Sequence, residues 1–148
     1  MPCLDELYLG YNPLDDDCLD DLASALRCMP ALRELDLSSC ELGKDGAQGI
    51  AAFASRLVRA SDDPDGRTLA IETIDVRNNK ISAPAAEALL AALTDDGTAH
   101  GRARPLLCPR LAAVYMDDNP AVRRPQGREA LQRMQAATGI VWAYAQVW

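Results

Sequence analysis

One spacing of apolar residues recurs along this chain and constrains its fold more than any other feature. In Leu32-Arg33-Glu34-Leu35-Asp36-Leu37-Ser38-Ser39-Cys40-Glu41-Leu42 it reads L-x-x-L-x-L-x-x-C-x-L. The same spacing appears upstream at Leu4, Leu7, Leu9, Asn12 and Leu14. It returns downstream at Ile71, Ile74, Val76, Asn79 and Ile81, and again at Leu111, Val114, Met116, Asn119 and Ala121. A weaker fifth copy starts at Ile140 and runs through Ala143 and Ala145. Self-similarity at a period in the twenties or longer marks stacked supersecondary units, each burying its apolar flank against the next.

The pattern resembles the leucine-rich repeat, and the resemblance covers nearly the whole chain. The copies start 28, 39, 40 and 29 residues apart, so the two middle repeats carry insertions of about eleven residues beyond the usual length. Long repeats with Ala- and Leu-rich second halves resemble the ribonuclease-inhibitor-like class. That class implies an α/β fold, a right-handed solenoid of about four to five repeats with a parallel sheet on the concave side and helices on the convex side. The expected organisation is one domain over 1–148. Its repeats lie near 4–31, 32–70, 71–110 and 111–139, with a terminal strand at 140–148 and insertions at 61–68 and 95–109.

Alternation within each copy predicts a half-buried strand. Leu7, Leu9, Leu35, Leu37, Ile74, Val76, Val114 and Met116 are expected in the core, with Glu34, Asp36 and Asp75 exposed. Helices are expected to start at Asp15-Asp16-Asp17, with Cys18, Leu19, Leu22, Ala23 and Leu26 on one face, and from Gly43–Asp45 with Ala47, Ile50, Ala51, Ala54 and Leu57 inside. Two more are expected over Ala83–Leu93 and Gln126–Ala137. The three aspartates suit a helix N-terminus, whose free N–H groups favour negative charge, and they lack the glycine and distal glutamate of a Ca²⁺ loop. Asn12, Cys40, Asn79 and Asn119 share one repeat position. In leucine-rich repeats that position forms a structural ladder onto backbone groups, a role that suits asparagine because it both donates and accepts.

The first insertion is acidic (Asp62, Asp63, Asp65), the Thr98–Pro105 part of the second is basic (Arg102, Arg104), and both are expected to leave the same edge of the fold. Charge is uneven overall: residues 1–65 hold 14 acids against 5 bases, and residues 66–148 hold 8 against 10. A net charge of −7 argues against nucleic acid or an anionic membrane as the main partner. No apolar run approaches the roughly 18 residues of a membrane span, and no secretion signal opens the chain. Five cysteines without a C-x-x-C pair suit a reducing, cytoplasmic setting, and Cys3, Cys18, Cys28 and Cys108 are expected as small buried hydrophobes.

Little here points to catalysis. The lone histidine, His100, falls in the basic insertion. No phosphate loop, metal-ligand cluster or nucleophile elbow is present, so neither a cofactor nor a metal is expected. Residues between the buried positions should project from the concave face in columns. One reads Tyr8, Asp36, Asp75, Tyr115, Tyr144; its neighbours are Glu6, Glu34, Thr73, Ala113, Trp142 and Gly10, Ser38, Arg77, Asp117, Gln146. Four of the seven aromatics lie there, and exposed Tyr and Trp are typical interface anchors. The expected function is a non-catalytic protein–protein interaction module, an accessory or scaffold subunit. Its expected contact residues are Tyr8, Glu34, Asp36, Asp75, Arg77, Tyr115, Trp142 and Tyr144, facing a protein partner with a basic or mixed surface. The alternative from the same resemblance is an enzyme regulator, such as a GTPase-activating protein or a ribonuclease-inhibitor-like inhibitor. Met1-Pro2-Cys3-Leu4 matches Met29-Pro30-Ala31-Leu32 without a polar cap; either Met1 is internal to a longer array, or the ends are covered by self-association or by a neighbouring subunit, and coverage is the expectation.

Overall fold

The structure is a computed structural model that describes residues 3–43, 69–94 and 110–143. The expected second-repeat helix, both insertions with His100 and Cys108, and Tyr144 and Gln146 lie outside the described residues. Five short strands form one parallel sheet in chain order: β1 Glu6–Tyr8, β2 Glu34–Asp36, β3 Thr73–Asp75, β4 Ala113–Tyr115 and β5 Val141–Ala143. Between them run α1 Leu19–Leu26, α2 Ala83–Thr94, α3 Pro120–Arg123 and α4 Pro125–Thr138. Each crossover returns the chain beside the strand it left, which is how strand, turn and helix recur at a fixed apolar spacing.

The core is one continuous cluster. The central residue of each inner strand points into it (Leu35, Ile74, Val114), joined by Leu37, Val76 and Met116, and by Leu19, Ala23 and Leu26 of α1. Burying side chains of this size stabilises the fold by about 1.5–3 kcal/mol each. Leu7 and Leu9 differ from expectation: both are half-buried, because β1 has a neighbouring strand on one side only among the described residues. Alanines let the helices lie close, with Ala85 and Ala86 of α2 fully buried. Gly127 does the same where α4 meets α3, since a Cβ there would fall 1.9 Å from the Ala121 carbonyl oxygen.

Three further expectations are corrected. α1 begins at Leu19, so the Asp15–Asp17 run precedes the helix. Asp16 instead turns inward and accepts from the Gly43 N–H at 2.7 Å, and Asp15 accepts from Asp17 N–H. Cys3, Cys18 and Cys28 are exposed, and among the described cysteines only Cys40 is buried. The last strand is also shifted by one residue. β5 pairs Val114 with Trp142 and Tyr115 with Ala143, so Trp142 is a core residue, 3% exposed, and Val141 takes the outward place. The cause is Gly139: its φ of 74° ends α4 and delivers the chain straight into Ile140, two residues before the core position, where the other copies use three.

Candidate functional site

The turns after the strands hold the sheet in register. Asn79 sits inside with its amide nitrogen donating to Val76 and Arg77 of its own repeat and to Leu37 O of the preceding one, at 2.8–3.2 Å. Its Oδ1 accepts from Cys40 N–H and Leu42 N–H, both at 3.0 Å. Asn119 repeats this with Val76 O, Met116 O and the Ile81 N–H. Cys40 supplies the backward link with a weaker donor, its Sγ 3.3 Å from Leu9 O, and burial pushes its thiol pKa up. Asn12 is exposed and keeps only the bonds within its own turn, to Leu9 O and Gly10 O. The residue before each of these four positions is left-handed: Tyr11, Ser39, Asn78 and Asp118 have φ between 53° and 62°. Those turns follow β1 to β4 and set the direction of these strands, and therefore of the side chains on the sheet's other face.

That face carries no helix among the described residues. Register places Tyr8, Asp36, Asp75, Tyr115 and Ala143 in one column, and Glu6, Glu34, Thr73, Ala113 and Val141 in the next. Trp142, expected here, is buried on the opposite side, and Tyr144 lies outside the described residues. The other expected contact residues share the open face, but not equally. Tyr8 is 57% exposed, Tyr115 38%, and Glu34 and Asp36 are half-buried. Asp75, expected to be exposed, is buried at 7%. Arg77 closes over it, donating from Nε to both carboxylate oxygens and from Nη2 to Oδ2. The same guanidinium lies 5.7 Å from the centroid of the Tyr115 ring, within cation–π range. The Asp75 carboxylate raises the Arg77 pKa above its ordinary value.

The N-terminal half of the face is electrostatically different. Glu6, Glu34 and Asp36 lie together, and among the described residues none of them forms an ion pair with a lysine or arginine. The Tyr8 hydroxyl donates to Glu6 at 3.0 Å; that bond, with partial desolvation and the Glu34 charge, pushes the Tyr8 pKa up to about 12.

A groove of about 870 Å³ borders the face along the turn edge, lined by Tyr11, Ser38, Arg77, Asn78, Asp117 and Arg123 among others. Sequence reasoning missed Tyr11, which is 84% exposed. Its signal was present, however: an aromatic stands at the position where the other repeats place Ser39, Asn78 and Asp118, and a bulky residue is unusual in the left-handed region.

No group of three or more His, Cys, Asp or Glu among the described residues is arranged to hold a metal ion. No helix among them is long and apolar enough to cross a membrane. Against this geometry, a family model described as Leucine Rich repeat matches residues 29–51. Over these residues the chain is similar to a leucine-rich repeat. The match spans β2 and the turn through Cys40, where the ladder bonds converge. Leucine-rich repeats generally mediate protein–protein interaction and are typically non-catalytic.

Proposed function

We propose that this protein is a non-catalytic interaction module that takes a protein partner on the open face of its sheet, as an accessory or scaffold subunit. Around that face we read a concave solenoid of four to five repeats in the ribonuclease-inhibitor-like class. The observation that carries the proposal is that exposed Tyr8 and Tyr115 share one face with Glu6, Glu34 and Asp36, carboxylates that form no ion pair among the described residues. Aromatic side chains offer large contact areas at low entropic cost, and carboxylates outside any ion pair favour a partner of basic or mixed surface. Three exposed cysteines without disulfides support a reducing, cytoplasmic setting.

The test is capture of partners on the immobilised chain, with Asp36→Lys and Tyr115→Ala as face variants and Arg133→Ala on α4 as the control. A partner held by the parent and the control but lost by both face variants, and released as salt rises, supports the reading. A partner indifferent to both face variants would move the contact surface elsewhere.

A further inference from the structure

The central column reads the same from either end: Tyr8, Asp36, Asp75, Tyr115. In one half a guanidinium completes the arrangement, with Arg77 forked onto Asp75 and lying over the Tyr115 ring. In the other half Ser38 stands where the arginine would be, two residues after the acid. The two carboxylates are otherwise held alike. Asp36 Oδ1 accepts from Ser38 N–H at 2.8 Å, and Asp75 Oδ1 accepts from Arg77 N–H at 3.0 Å. Oδ2 of Asp75 is taken by Arg77, whereas Oδ2 of Asp36 has no hydrogen-bond partner among the described residues.

Gly10 keeps the way in open. A Cβ there would stand 3.0 and 3.2 Å from the two Asp36 carboxylate oxygens and 2.8 Å from Ser38 Oγ. On the neighbouring strand the Tyr8 ring is exposed, its hydroxyl tied to Glu6.

We propose that Asp36 and Tyr8 bind an arginine side chain of the protein partner, in the arrangement Arg77 already makes with Asp75 and Tyr115. Arginine is chosen over lysine because its planar fork can engage a carboxylate while its face lies against a ring. This deepens the proposed function and rests on the open face being the binding surface.

The test titrates the full chain, labelled for two-dimensional amide NMR, with a hexa-arginine peptide and separately with hexa-lysine. Expected are arginine-specific shifts at Tyr8, Gly10, Asp36 and Ser38, with binding weakened about tenfold by Asp36→Asn, the size expected for losing one charge-assisted hydrogen bond. The Asn variant keeps an oxygen for Ser38 N–H, and an unchanged melting temperature would confirm its fold. Tyr8→Leu should weaken the same shifts, and Ser38→Arg, which supplies the guanidinium from within, should abolish them at Asp36. Shifts confined to Arg77 and Tyr115 and indifferent to Asp36→Asn would overturn the arginine site while leaving the open face as the binding surface. Shifts away from the sheet face would overturn both. Equal affinity for hexa-lysine would overturn the assignment to arginine.

Discussion

Strands β2 and β3 place an aspartate at the same register position, and the two have different fates. Asp75 is buried beneath Arg77 and has become part of the framework. Asp36, next to it in the sheet, is half-buried, with one oxygen on the Ser38 N–H and the other open. The backbone treats them identically, because the turn ladder sets both strands to the same direction. The residue two positions later decides whether the carboxylate is neutralised internally or left for a partner. Repetition therefore supplies equivalent sockets, and single substitutions assign them to structure or to binding.

The same contrast between the interior of the array and its first repeat orders the predictions. The largest effect is expected in the core. Leu35→Ala, at a fully buried position, should cost about 2–5 kcal/mol in denaturant unfolding, and Leu7→Ala, half-buried on β1, clearly less. Equal losses would mean that β1 is packed as tightly as β2.

Next come the ladder asparagines. Asn79→Ala strips bonds from Cys40 N–H, Leu42 N–H and Leu37 O at once, leaving buried groups unsatisfied at about 1–3 kcal/mol each before relaxation. Asn12→Ala removes two exposed bonds within one turn and should change stability by no more than about 1 kcal/mol. A reversed order in urea midpoints would contradict the inter-repeat role of Asn79.

A smaller difference separates the two aspartates. Arg77→Leu should destabilise by about 1 kcal/mol, because its guanidinium is half-exposed and screened although Asp75 beneath it is buried. Asp36→Asn should leave the unfolding midpoint nearly unchanged, since Asp36 accepts no hydrogen bond from Arg77 and the amide keeps an oxygen for the Ser38 N–H. If Asp36→Asn proved the more destabilising, Asp36 would belong to the framework.

The last prediction concerns pH alone. The folded pKa of Tyr8 is raised to about 12 from the ordinary 10, so its contribution is complete below pH 10 and is lost as pH rises through about 12. In the ultraviolet difference between parent and Tyr8→Phe, tyrosinate absorbance should appear with that late midpoint. Glu6→Gln should bring it back toward 10. An unshifted midpoint in the parent would show that the Tyr8–Glu6 bond does not persist in solution.

The apolar spacing by itself determined the parallel strands, their register through Leu35, Ile74 and Val114, and the ladder positions Asn79 and Asn119. These depend on local periodicity, which every copy states again. The open-face column from Tyr8 to Tyr115 followed from the same alternation. Only tertiary structure decided the rest, because burial belongs to neighbouring elements jointly and not to one strand. Gly139 ends its helix in a left-handed turn, so Trp142 enters the core and Val141 faces outward. Asp75 is buried because Arg77 folds back across it, and Asp16 because Gly43 of the next repeat presents an N–H to it. Leu7 is half-exposed because β1 has a single neighbouring strand among the described residues. Periodicity specifies which way a side chain points, and the element packed beside it decides how much water it keeps.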